Sequence, residues 1–112
     1  MTPSEARRRR YWDQEAARFD AMIAPVERRF LSAGRAWVAE RARGAVLEVA
    51  VGTGLNLPYY GADARLTAVE LSGGMLDGAR HRAARHGRAV DFAVANGERL
   101  PFADASFDAV VC

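Results

Sequence analysis

An α/β fold, with a parallel sheet flanked by helices, is what this chain of 112 residues predicts. Three observations carry the prediction. Short apolar, β-branched runs recur at intervals of roughly 20 to 25 residues, starting near Ala45, Arg65, Ala89 and Phe107. Helical periodicity fills the segment before the first run and the segment between the second and third. A Gly-Thr-Gly turn follows the first run directly, and an acid, Glu70, closes the second.

Composition sets the outer bounds. Half of the residues are apolar, and 16 arginines stand against 14 acids with no lysine, the make-up of one globular domain. A net charge of +2 is too small to argue for nucleic acid, but it is unevenly spread. Residues 1–43 hold 10 Arg against 6 acids, and residues 44–112 hold 6 against 8. Cys112 is the lone cysteine, so neither an intrachain disulfide nor a cysteine-based metal cluster is expected, which fits a reducing compartment. Arg7 to Arg10 are followed by "YWDQEAARFD" rather than by the apolar stretch of an export signal. No segment reaches the roughly 18 apolar residues of a membrane span, and a cytoplasmic location is expected.

The elements follow in order. Trp12, Ala16, Phe19, Ile23, Val26 and Phe30 recur at spacings of four and three, the one-sided stripe of a helix. Pro25 disfavours helical geometry at Ala24 and suits the first turn of a new helix. This predicts one helix to about Ile23 and a second from Pro25 to about Arg43, capped by Gly44. "AVLEVAV" (Ala45 to Val51) and "RLTAVEL" (Arg65 to Leu71) read as strands buried on both faces, with turn residues and a short helix in "NLPYYGADA" between them. Ser72 is the expected N-cap of a helix that carries Arg82, Arg85 and His86 in its last turn and stops at Gly87. Ala89 to Ala95 and Phe107 to Cys112 complete the expected strands. An apolar strand such as the fourth normally lies inside a sheet, because an edge exposes unpaired backbone groups. The expectation is therefore a segment from the N-terminal part of a larger domain.

In an open parallel sheet, ligands bind beyond the carboxyl ends of the strands. The residues there are Val51, Gly52, Thr53 and Gly54 after the first strand, Glu70 at the end of the second, and Asn96, Gly97 and Glu98 after the third. Glycine in the first turn keeps a Cβ out of the ligand's path and permits positive φ. Glu70 lies 16 residues beyond Gly54, where both carboxylate oxygens can accept from the hydroxyls of an adenosine ribose. A phosphate-cradling loop would need Gly-Lys-Ser or Gly-Lys-Thr, and the chain lacks lysine. A dinucleotide fingerprint would need glycine at Leu57, which Pro58 follows, so that reading is poorly supported. S-adenosylmethionine carries no phosphate and suits a turn without a third glycine and without basic residues.

"VLEVAVGTGLNL", "LTAVELSGGMLDGAR" and "ANGERLPFADASFDAVVC", in this order, resemble the first, second and fourth-strand motifs of class I S-adenosylmethionine-dependent methyltransferases. The resemblance spans residues 45–112. Within the class it is strongest to the methyltransferase type 11 group, similar to ubiquinone/menaquinone C-methyltransferases and phosphatidylethanolamine N-methyltransferases. Leu100-Pro101-Phe102, Asp104 and Ser106-Phe107-Asp108 carry that likeness.

The resemblance implies a Rossmann-like methyltransferase fold, truncated after its fourth strand. It implies a lid or substrate segment in residues 1–43 and a cofactor-binding half-domain in residues 44–112. It also implies roles by position. Glu48 would hydrogen-bond near the methionine end of the cofactor, with Gly52 and Gly54 beneath it and Thr53 and Asn56 in the same loop. Glu70 would hold the ribose, Met75 would flank the adenine, Asn96 would stand where relatives carry an adenine-binding Asp, and Leu71, Gly97 and Glu98 would also belong to the cofactor site. Ala50 replaces the first glycine of the family turn. "YWDQEAARFD" resembles the family's lid, so that Tyr11 would cap the cofactor.

The expected activity is methyl transfer to a small-molecule or lipid acceptor. Arg7 to Arg10 beside Tyr11 and Trp12 suit contact with anionic head groups at the inner face of a membrane, against the alternative of a solvated end. Asp104, Ser106 and Asp108 read as turn residues leading into a strand, and His81 and His86 as surface residues. No dedicated nucleophile, catalytic base or metal ligand set is visible. The competing readings are a noncatalytic methyltransferase fragment and a dinucleotide-binding domain of an oxidoreductase.

Overall fold

The computed structural model describes residues 1–112. Four parallel strands run in the order β3-β2-β1-β4, with β1 at Ala45–Val49, β2 at Arg65–Glu70, β3 at Val90–Val94 and β4 at Ala109–Val111. Glu48 pairs with Ala68 on one side and Val111 on the other. The chain builds outward from β1 through β2 to β3, then crosses back to place β4 on the opposite side of β1. That reversal opens a crevice above the carboxyl ends of β1 and β4. The core lies between the sheet and its helices, with Val46, Leu57, Leu66, Leu76 and Ala79 at its centre.

The N-terminal helices differ from expectation. Helix α1 spans Pro3–Val26 and runs straight through Pro25, so the predicted break there is not made. A capping box starts it: Thr2 Oγ1 accepts from the Glu5 N–H, and Glu5 reaches back to the Thr2 N–H. The disturbance appears one residue after Val26 as a π-turn, Glu27–Leu31, in which the Ser32 N–H bonds to the Glu27 carbonyl. Helix α2 then covers Ser32–Arg41. Proline removes a single helical bond, and contacts on both sides of it oppose a break. Asp20 is bonded to Arg82 before the proline, and Glu27 to Arg35 after it. A π-turn absorbs the mismatch instead.

Gly44 is not the cap of α2, which ends at Arg41 with an extended Ala42 as its C-cap. Gly44, at φ +75, turns the chain into β1, and a Cβ there would collide with the Asp108 carboxylate. Asp108 leads into β4 and ties it to β1: its Oδ2 accepts from the Ala45 N–H at 2.8 Å, and its own N–H donates to the Ala45 carbonyl at 2.8 Å. Ser106 bonds the Ala103 carbonyl, so this segment has the expected turn character. β1 stops at Val49 because Ala50 takes φ +58. Ser72 caps α3 (Gly73–Arg85) as predicted, its Oγ accepting from the Met75 N–H at 3.1 Å. β3 and β4 are the outer strands, and Val110 is 61% exposed.

Candidate cofactor cleft

A cleft of about 630 Å³ lies above the carboxyl ends of the strands. Each strand end contributes to it. Ala50 and Gly52 follow β1, Glu70 and Leu71 close β2, Asn96 to Glu98 follow β3, and Cys112 follows β4. Met75 enters from the first turn of α3. From above, α1 lays Arg8, Trp12 and Phe19 across the opening, the two rings edge to face at 6.2 Å.

Glu70 is the organising acid of the floor. Its Oε1 accepts from the Gly52 N–H at 3.2 Å and its Oε2 from the Ser72 N–H at 2.8 Å, so one carboxylate joins the loops after β1 and β2. A carboxylate offers about four acceptor sites, and the remaining ones are free to serve a diol in the cleft. The turn beside it uses left-handed backbone at Ala50, Gly52 and Gly54, with φ of +58, +59 and +82. At Ala50 this geometry carries a steric penalty that glycine escapes. The glycines differ in what surrounds them. A Cβ on Gly52 would meet no protein atom within 4 Å and would project into open space at the cleft wall. A Cβ on Gly54 would stand 2.7 Å from Leu57 Cδ1 and 3.1 Å from Ala79 Cα, so that glycine serves packing against α3.

Of the residues singled out in the sequence, Ala50, Gly52, Glu70, Leu71, Met75, Asn96, Gly97 and Glu98 line this one cleft. Tyr11, Glu48, Thr53, Gly54 and Asn56 do not. Tyr11 is 54% exposed and packs its ring on Trp12 at 5.0 Å; the neighbouring Trp12 occupies the roof. Glu48 is buried in β1, away from the cleft, and accepts from the Tyr60 hydroxyl. Burial pushes its carboxyl pKa up, against the opposing pull of Tyr60, Asn56 and Arg35. The same burial, with Glu48 beside it, pushes the Tyr60 phenol well above its ordinary range. Asn56 accepts from Arg35 Nη1 at 2.9 Å, and Arg35 Nε donates to Glu27 at 2.7 Å. Glu48 and Tyr60 thus lie beside a part-buried network of Asn56, Arg35 and Glu27 that anchors the turn from below. Thr53 faces α1, its hydroxyl donating to Asp20 Oδ1 at 2.6 Å. Asn96 lines the cleft, but its Oδ1 already accepts from the Glu98 N–H at 3.0 Å.

Arg8, Trp12 and Phe19 were not among the sequence-predicted site residues. The signal for two of them existed, since Trp12 and Phe19 belong to the helical stripe. A stripe shows which residues share a face and not what that face covers. Cys112 lines the cleft only because β4 crosses back beside β1. No group of His, Cys, Asp and Glu residues is arranged to hold a metal. His81 on α3 and His86, its C-cap, are exposed, as expected.

A family model described as a methyltransferase domain matches residues 46–112, a span that takes in the floor of the cleft and all four strands but for Ala45 at the start of β1. The chain belongs to this methyltransferase-domain family. A ubiquinone/menaquinone biosynthesis C-methyltransferase of Brucella anthropi is 39% identical over 98 residues, covering 80% of this chain and 37% of the relative. The chain therefore spans little more than a third of that relative's length. Among solved structures, SpnF, a [4+2]-cyclase, superposes with a TM-score of 0.62 at 30% identity, over 71% of this chain and 33% of the other. A SAM-dependent methyltransferase from Aquifex aeolicus shares the fold, with a TM-score of 0.57 at 20% identity, over 69% of this chain and 45% of its own. Within the methyltransferase-domain family, the glycine turn and the acid ending β2 are thus set in a Rossmann-like parallel sheet, as the sequence led us to expect.

Proposed function

We infer that the cleft binds S-adenosylmethionine and that the chain carries the cofactor-binding part of an enzyme that methylates a small-molecule or lipid acceptor. The observation that carries this reading is Glu70, whose two oxygens organise the floor and still face the cleft, next to a glycine whose missing Cβ leaves the cleft open. Glu70 would accept from the ribose hydroxyls, Leu71 and Met75 would pack on the adenine, and Gly52 would let the thioether end approach the turn. The cofactor, when bound, supplies a methyl carbon made electrophilic by its sulfonium. The chain's own residues then bind, align and exclude water. Trp12 and Phe19 suit that last task, because apolar rings over the opening shed water and offer π faces to a cation. No side chain of the cleft is needed as a nucleophile.

Residues 1–43 read as the lid of this site and 44–112 as its floor. The Brucella relative supports a quinone-like acceptor, and the likeness to a [4+2]-cyclase supports a second reading, a scaffold of the same fold without methyl transfer. Arg7 to Arg10 are exposed on α1, which favours contact between this end of the chain and an anionic membrane surface. No helix is long and apolar enough to cross a membrane. Titration calorimetry with S-adenosylhomocysteine and with NAD tests the cofactor. Binding of the first and not the second is expected; NAD binding alone would overturn the reading in favour of an oxidoreductase domain.

A further inference from the structure

The lid helix is held in an unusual way. Glu5 is the only buried residue of α1, and the apolar core contains no residue from Pro3–Val26. What fastens α1 is a row of acids. Glu5, Asp13 and Asp20 lie eight and seven residues apart, spacings of about two helical turns that keep all three within one broad face. Each reaches a different ligand-bearing loop. Glu5 pairs with Arg99 at 2.8 Å, in the loop after β3. Asp13 Oδ1 accepts from the Ser72 hydroxyl at 2.5 Å and the Gly74 N–H at 3.0 Å, at the start of α3. Asp20 accepts from the Thr53 hydroxyl in the glycine turn and from Arg82 Nη2 at 2.8 Å, while Arg82 Nη1 donates to the Thr53 carbonyl at 2.7 Å. Glu15 pairs with Arg18 on the helix itself.

We propose that α1 is a latched roof in which Glu5, Asp13 and Asp20 are positioning residues that hold Trp12 and Phe19 over the cleft, and that release of these latches sets how fast an adenosyl ligand enters and leaves. The second half rests on the adenosyl reading of the cleft. A segment with little buried apolar area opens at low free energy, whereas the sheet opens only with global unfolding. Polar contacts suit a part that must separate and re-form, because water replaces their hydrogen bonds when they part. Gly74 permits the close approach: a Cβ there would lie 3.3 Å from Asp13 Cα and Ala16 Cβ. Residues that close a site from above without joining its core act on both directions of exchange, so entry and exit change together while affinity changes less.

The test combines E5Q, D13N and D20N in one chain, with G74V as a second variant that wedges α1 off without altering charge. Amide hydrogen exchange of the ligand-free chain is read first. Residues 3–26 are expected to lose about tenfold or more of their protection, with β1 and β2 unchanged. Unchanged protection of α1 in both variants would overturn the latch. Stopped-flow fluorescence of Trp12 in a W37F background then follows S-adenosylhomocysteine, with association and dissociation rates both expected to rise about tenfold and the Kd to move less. Loss of α1 protection with unchanged ligand rates would overturn the gating step. Failure of the parent chain to bind S-adenosylhomocysteine would overturn the adenosyl reading and the gating with it, while the exchange data judge the latch separately.

Discussion

Exchanging Glu70 for glutamine keeps the shape of the side chain and replaces one acceptor oxygen by an NH2 group. In the parent, the two oxygens receive two backbone N–H donors, Gly52 at 3.2 Å and Ser72 at 2.8 Å. Glutamine can satisfy one of them. The shorter bond to Ser72 is the one to survive, which turns the amide NH2 toward the Gly52 N–H, donor against donor. A hydrogen bond to a charged group contributes about 1.5 to 3 kcal/mol, and the half-exposed position of Glu70 puts this one at the low end. E70Q should therefore lose about 1.5 kcal/mol of stability, lowering the Tm by roughly 6 °C in a chain of this size. The same exchange reverses the polarity of one of the oxygens proposed for the ribose, so S-adenosylhomocysteine should bind roughly tenfold more weakly. Differential scanning calorimetry and titration calorimetry read the two effects separately. An unchanged Kd would refute the ribose assignment, and an unchanged Tm would refute the loop anchor.

Three further outcomes are expected. A50G removes a left-handed alanine at φ +58; relief of about 1 to 2 kcal/mol of strain, offset by about 0.4 to 1 kcal/mol of added unfolded-state entropy, leaves a net gain near 0.5 kcal/mol, and a lower urea midpoint at unchanged slope would contradict it. G54A drives a Cβ into Leu57 and Ala79 and should destabilise by about 2 kcal/mol or more, while G52A, with no protein neighbour to strike, should lose ligand affinity well beyond its loss of stability; equal effects at the two glycines would overturn the distinction. Because burial raises the folded pKa of Glu48 above its unfolded value, the Glu48 contribution to stability is fully present below the unfolded pKa, about 4.3, and is lost as pH rises through the folded one. E48Q keeps an acceptor for Tyr60 and should flatten that fall, whereas E48A orphans the Tyr60 hydroxyl and should cost about 1 to 3 kcal/mol at every pH; denaturation at pH 4 and pH 7 distinguishes the cases.

The strands were legible because each apolar run is short, β-branched and bounded by turn residues, and all four form close to where they were read. Ser72 was legible as a cap for a local reason: its side chain serves an N–H three residues away. Pro25 was misread for the opposite reason. Its local preference for a break is modest and yields to Asp20–Arg82 and Glu27–Arg35, pairs that join residues 62 and 8 positions apart. Glu48 shows the same limit. Its place in an apolar strand announced a partner, but that the partner is Tyr60 follows only from how the 3₁₀ turn at Leu57–Tyr59 folds back beneath the strand.

By itself, then, the sequence determined the parallel sheet, the glycine turn and the acid that closes β2, since those depend on period, backbone freedom and neighbours on adjacent strands. Only the tertiary structure decided what covers the cleft. The roof of Trp12 and Phe19, the burial of Glu48 and the carboxylates that fasten α1 depend on contacts between residues 12 to 94 positions apart. Such contacts leave no periodic trace in the chain, because their partners are brought together by the crossing of elements and not by spacing along any one of them.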